Sequence, residues 1–268
     1  MITFNQTFPL MLLFSLAFCG VFKTQASENI PSPINIHVGI GARPPFLNAD
    51  ERTGLGPDMV AVMNLIQPTY KFSLKTMPTK RRLQALQEGW VDIQMWDNPN
   101  WGWQGVELSL SQPIVASRDV FIARRKVGRD QQYFDDFSKK KFAMVVGYHY
   151  KFADFETDID KLAKRFDVKM VRTEEASIKM VLANRVDIAV VSETALRWFF
   201  KRFPGQESKL LISKKADTVY QRFFLVPANA PITAEELKQF LLLADEKGLL
   251  APLYEKYGLT KPDFTLVE

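Results

Sequence analysis

Apolar and polar residues alternate through residues 34–40 (INIHVGI), the period of a half-buried strand. The run stops at Gly41, before Arg43-Pro44-Pro45-Phe46, a stretch that cannot be helical. Residues 58–66 then carry apolar positions at helical spacing with Asp58 as a cap; 71–77 predict a strand, 80–88 a helix stopped by Gly89, and 91–96 a third strand. The order β-α-β-α-β with short connections is the signature of a mainly parallel sheet with crossover helices. It recurs in the second half as strand 142–146, helix 158–166, strand 168–171, helix 175–183 and strand 186–191. The two copies share a local likeness. Leu86-Gln87-Glu88-Gly89-Trp90-Val91-Asp92-Ile93 parallels Leu182-Ala183-Asn184-Arg185-Val186-Asp187-Ile188, with one extra residue in the first. Gly89 and Asn184 are the residue types that best end a helix in the left-handed conformation, and Asp92 and Asp187 are read as structural turn residues opening a buried strand.

Between the copies, residues 117–125 form an extended segment able to cross from one unit to the other, and 220–227 form a second; two amphipathic helices, 233–243 and 249–257, close the chain. The plan is a first lobe over residues 27–118, a second lobe over 119–220 inserted into it, and a return to the first over 221–268. Two crossing strands make the hinge. In such sheets strand C-terminal ends and helix N-termini face one crevice, and ligands bind there.

The N-terminus adds a compartment. Residues 9–22 are an uncharged apolar run followed by Lys23-Thr24-Gln25-Ala26, which suits a signal peptide cleaved after Ala26 better than a membrane span. Phe18 before Cys19 argues against a lipoprotein site. The reading is export to the periplasm. Cys19 is the chain's one cysteine, so a processed chain offers no disulfide, thiolate nucleophile or thiolate metal ligand. Removing residues 1–26, which hold Lys23 and no acid, takes the net charge from +5 to +4, with basic residues spread among nearly as many acids. No nucleic-acid patch is predicted, and the expected state is a soluble monomer.

On four segments the sequence resembles the bacterial periplasmic solute-binding proteins of polar amino-acid uptake systems (family 3). These are the strand leading into Pro44-Pro45-Phe46, Leu86-x-x-Gly89-x-Val91-Asp92-Ile93, Leu110-Ser111-x-Pro113, and the closing stretch at 249–258, LLAPLYEKYG. The resemblance spans residues 34–258. It implies an α/β, two-lobed periplasmic-binding-protein fold of type II, each lobe a mainly parallel sheet flanked by helices. It also implies ligand capture by hinge closure for a membrane permease of the ABC type.

The site positions depart from that family. Where relatives clamp the ligand carboxylate with an arginine, this chain has Gln104; where they hold the ligand ammonium with an aspartate, it has Ser192; and where they place an aromatic residue before Phe46, it has Arg43. Two such losses remove charge-assisted bonds of about 1.5–3 kcal/mol each. In their place stand Trp96 and Asp97 at a strand end, Arg81 at a helix start, and Tyr148, His149 and Tyr150 after a second-lobe strand; Arg81 and the Tyr148–Tyr150 run resemble a less characterised branch of the family. Guanidiniums favour carboxylate or phosphate and rings favour a flat portion, so the expected ligand is a small polar, anionic or atypical amino-acid-like molecule. With His37 and His149 as the only histidines and no Walker, GxGxxG or GxSxG motif, no cofactor, metal or catalytic residue is assigned. Two alternatives stay open: a ligand sensor docking to a membrane receptor, and a dehydratase-like enzyme for which Asp97 and Glu193 are the candidate acids.

Overall fold

The computed structural model describes residues 1–2, 32–48, 50 and 52–264, so the leader read at residues 1–26 lies, beyond its first two residues, outside the described part. In chain order the elements are β1 (Ile34–Ile40), α1 (Leu55–Ile66), β2 (Tyr70–Thr76), α2 (Arg82–Gln87), β3 (Ile93–Asp97), β4 (Leu108–Leu110) and β5 (Val115–Arg124). Then follow β6 (Lys141–Val145), α3 (Ile159–Arg165), β7 (Asp167–Val171), α4 (Glu174–Leu182), β8 (Ile188–Ser192) and α5 (Glu193–Arg202), and last β9 (Leu210–Pro227), α6 (Ala234–Glu246) and α7 (Leu250–Lys256).

Two half-sheets of the same plan result. In the first, β2, β1 and β3 run parallel and β3 meets the end of β9 antiparallel; in the second, β7, β6 and β8 run parallel and β8 meets β5 antiparallel. β9 pairs with β5 from Leu210 to Arg222, then with β3 and β4 from Phe223 to Pro227, so this one strand passes from one half-sheet to the other. Strand alternation fills both faces of each. Phe142 and Met144 enter a cluster with Tyr150, while Ala143 between them enters another with Ile178 and Val181. The buried residues of the first half-sheet's main cluster come from Ile36–Val115 and Phe224–Phe264, and those of the second half-sheet's clusters from Val120–Leu211. The molecule is two-lobed, with the second lobe's core drawn from the middle of the chain.

The repeated helix-to-strand turn does the same job in each lobe. Gly89 and Asn184 both take positive φ, 70° and 55°. The Asp92 carboxylate accepts the His37 N–H at 2.6 Å and that of Asp187 accepts the Lys141 N–H at 2.9 Å, so each aspartate ties its strand to the lobe's first strand, mid-strand in one lobe and at the strand start in the other. α1 begins three residues before Asp58, from Gly54 at φ 139°. Pro57 sits in its first turn, where its missing N–H leaves no bond unmade. Asp58 instead accepts from the Tyr257 hydroxyl (2.8 Å) and Lys256 (2.6 Å), fastening α1 to the end of α7. No helix among the described residues is long and apolar enough to cross a membrane.

Candidate functional site

The parallel strands deliver their C-terminal ends to one cleft, and β5 and β9 cross behind it. A cavity there is lined from the first lobe by Arg43, Thr79, Arg82 and Trp101, from the second by Gly147, Tyr148, His149, Glu174 and Ser192, and from the crossing strands by Asp119, Tyr220 and Arg222. Its volume is about 30 Å³. That admits a water or two, so any larger ligand must part the walls.

Three guanidiniums converge here, and only one is neutralised. Arg82 is buried at the start of α2 and bonds Asp97 at 2.9 Å, with a second bond to the Trp101 carbonyl. Arg222, 3% exposed, donates to the Trp96 carbonyl (3.0 Å) and the Tyr220 hydroxyl (3.3 Å), and its Nε has no partner. Its guanidinium lies among the rings of Trp101, Tyr220 and Phe46, 4.6, 4.9 and 5.4 Å from their centroids, a cation held by π faces instead of an acid. Arg43 stacks over Tyr148 at 4.9 Å. Burial opposes its charge, but the Tyr148, Glu174 and Asp97 oxygens around it outweigh that and raise its pKa. Neither Arg43 nor Arg222 has an ion-pair partner among the described residues.

Two acids stand in the same cavity without an ion-pair partner among the described residues. Glu174, the first residue of α4, accepts the Ser192 N–H at 2.6 Å and the Tyr148 hydroxyl at 3.3 Å. Asp119 on β5 accepts the Tyr220 hydroxyl at 2.8 Å. Burial, and then the neighbouring Glu174 charge, push the Asp119 carboxyl up to about 7. The same surroundings raise the Tyr148 and Tyr220 phenols, burial first, so both stay protonated donors. Burial and then the Arg82 charge lower His149, which is therefore neutral at pH 7.

Of the residues read from sequence, Arg43, Tyr148, His149 and Ser192 line this cavity. Phe46, Trp96 and Asp97 line a smaller recess of about 20 Å³ beneath it, where Phe46 stacks on Trp96 at 5.0 Å and Trp96 holds φ 60°. Three candidates fall elsewhere. Arg81 ends a single 3-10 turn and points to solvent, so the next residue, Arg82, takes the inward place. Gln104 is exposed and lines none of these cavities, because the turn after Trp103 carries it outward. Tyr150, 1% exposed, is a core residue whose hydroxyl accepts the Val145 N–H at 2.9 Å. The candidate acid Asp97 is committed to Arg82, and Glu193 to Arg118 at 2.8 Å. Arg82, Asp119, Glu174, Tyr220 and Arg222 escaped the sequence reading. The two extended segments 117–125 and 220–227 contain Asp119, Tyr220 and Arg222, but Ser117, Arg118, Arg124, Arg125 and Gln221 stand beside them, so polarity alone does not single the three out.

No protein-family model matches the chain, and no curated protein sequence does. Solved structures do. The GluR0 ligand-binding core from Nostoc punctiforme in complex with L-glutamate aligns with a TM-score of 0.63 at 19% identity, over 83% of this chain and 98% of that one. This chain has the type II periplasmic-binding-protein fold. An ancestral arginine-binding protein bound to arginine aligns at 0.64 and 18% identity, over 85% and 99% of the two chains. The ancestral amino acid-binding protein AncCDT-1, described as a precursor of cyclohexadienyl dehydratase, aligns at 0.62 and 17%, over 84% and 95%. The sequence-based resemblance to solute-binding proteins thus holds at the level of this fold. Among the described residues no group of three or more His, Cys, Asp or Glu side chains is placed to hold a metal.

Proposed function

We propose that the chain is an exported solute-binding protein that closes on an amino-acid-like zwitterion and hands it to an ABC-type permease. The observation that carries this reading is the charge pattern of the cleft: among the described residues, Arg43, Arg222, Asp119 and Glu174 line it and none of them forms an ion pair. A ligand carboxylate on the arginines and an ammonium on the acids satisfies all four, as no neutral or singly charged ligand does. Arg222 and Arg43 then replace the carboxylate clamp absent at Gln104, and Asp119 and Glu174 the ammonium partner absent at Ser192. The hinge is β5 with β9, the lobes follow the 27–118, 119–220 and 221–268 division, and export follows from the leader at residues 1–26. The hinge mechanism is population shift: ligand contacts reach both lobes only when the cleft is shut.

A thermal-shift screen of the purified protein against amino acids, dicarboxylates and phosphorylated metabolites tests this. A ligand at one hundred times its Kd adds about 2.7 kcal/mol to the folded state. Shifts confined to amino-acid-like zwitterions support the reading. Shifts from dicarboxylates or phosphates alone overturn it, and conversion of a bound ligand to product moves the protein to the enzyme reading, with Asp119 as the acid.

A further inference from the structure

The cavity that carries the charges is small, and a much larger one lies beside it. The outer chamber measures about 660 Å³, within the range of sites that enclose whole organic ligands. Arg43 and Glu174 border both cavities, so the two are neighbours across those side chains. One side of the chamber is the backbone turn at Ala42–Pro44. The other is α5, presenting Ala195, Trp198 and Phe199, an apolar and aromatic wall. The Trp198 indole N–H is buried without a hydrogen-bond partner among the described residues. The far rim is basic. Glu175 alone serves both Lys179 (2.5 Å) and Arg202 (2.6 Å), and exposed Arg172 has no ion pair among the described residues.

We infer that the ligand is longer than a free amino acid. It is a zwitterionic head extended through its side chain by a flat or apolar segment that ends in an anion. This rests on the zwitterion reading above and specifies its substrate class. The head occupies the inner cavity between Arg222 and Asp119, leaving both α-charges free for them. The segment passes Arg43 and lies on Trp198 and Phe199, and the terminal anion meets Arg202 and Arg172. The inner cavity, about 30 Å³, must part its walls even for the head, whereas the outer chamber, about 660 Å³, already has room for the rest. Against Asp50 and Glu175 the outer chamber carries Arg172, Lys179 and Arg202, and that small excess of positive charge favours an anionic terminus over a neutral one.

γ-L-Glutamyl-L-phenylalanine has this form, with a free α-amino acid head, an aromatic ring and a distal carboxylate; L-glutamate is its truncated counterpart. The experiment is calorimetric titration of both into the wild-type protein and into the Trp198→Ala, Arg202→Gln and Arg222→Gln variants. Expected are a Kd for the dipeptide at least about tenfold below that for glutamate, a difference of about 1.4 kcal/mol. Trp198→Ala and Arg202→Gln should each erase most of that preference and leave glutamate unchanged, while Arg222→Gln weakens both. Arg202 is half-exposed, so its variant keeps the test valid if Trp198→Ala does not fold. Equal affinity for the two probes, or outer-chamber variants that weaken both alike, overturns the extended ligand and leaves the zwitterion reading standing. Binding of neither probe overturns both.

Discussion

A single residue's position decides which of two adjacent arginines enters the cleft. The motif Pro78-Thr79-Lys80-Arg81-Arg82 reads in sequence as a helix start with Arg81 inward. The residues 79–81 instead form a 3-10 turn, whose tighter winding rotates the following helix, and Arg82 becomes the buried partner of Asp97. Pattern reading supplies a helix and its length, but a one-residue change of phase turns a side chain by about 100°. Arg82→Ala leaves Asp97 charged and unpaired in a buried site, so a loss of about 3–5 kcal/mol is expected in urea unfolding, against less than about 0.5 kcal/mol for Arg81→Ala. Equal effects of the two variants contradict this placement.

Asp119 gives the residue scale its pH dependence. Its carboxyl titrates at about 7 in the folded protein against 3.8 as the ordinary value, so the folded state holds the proton more tightly than the unfolded one. Its contribution to stability is therefore full below about pH 4, declines as pH rises, and is gone above about 7. Subtracting urea melts of Asp119→Asn from those of wild type between pH 4 and 8 should isolate that decline. A ligand ammonium needs the ionised form, so affinity for a zwitterion should strengthen from pH 6 to pH 8 and the Asp119→Asn profile should be flat. A wild-type profile that is flat over the same range contradicts an ammonium site at Asp119.

At the scale of elements, the sequence was most legible where a turn repeats. The Gly89–Asp92 and Asn184–Asp187 turns carry a positive-φ stop followed by an aspartate that bonds back to a neighbouring strand, and this local chemistry is visible in the residues themselves. The two parallel half-sheets followed from it and from hydrophobic period. The start of α1 did not, because Pro57 inside a first turn reads as a breaker and the cap position belongs to Gly54, with no side chain to announce it. Removing either aspartate's bond should destabilise by about 1.5–3 kcal/mol. Asp92→Ala and Asp187→Ala lie in different lobes with no shared partner, so their costs should add within about 0.5 kcal/mol. Marked non-additivity in the double variant would mean that the two turns are coupled through the hinge.

At the scale of the molecule, the charges of the site come from parts of the chain that meet only after both lobes have formed. Arg43 follows β1, Glu174 opens α4, and Asp119 and Arg222 ride on the two strands that pass between the lobes. Arg43, Tyr148 and His149 follow strand ends and line the cleft, as the fold type implies for such positions. Asp119, Tyr220 and Arg222 lie within strands, and their inward direction depends on register across a bulged β5–β9 pair, which no local pattern encodes. On the proposed reading, the same arrangement would let a ligand act on the whole molecule, because a zwitterion bridging Arg43 and Glu174 would link the first lobe to the second.

The most direct measurement is calorimetric titration at pH 8 of an amino-acid-like zwitterion that stabilises the protein, into wild type, Arg43→Gln and Asp119→Asn. Arg43 makes no side-chain hydrogen bond or ion pair among the described residues, so its replacement breaks none. The expected result is a loss of at least about tenfold in affinity, 1.4 kcal/mol, for each variant, with unfolding midpoints of the free proteins little changed for Arg43→Gln. Wild-type affinity retained in both variants would show that the ligand is held elsewhere, and that the unpaired charges of the cleft are not its binding site.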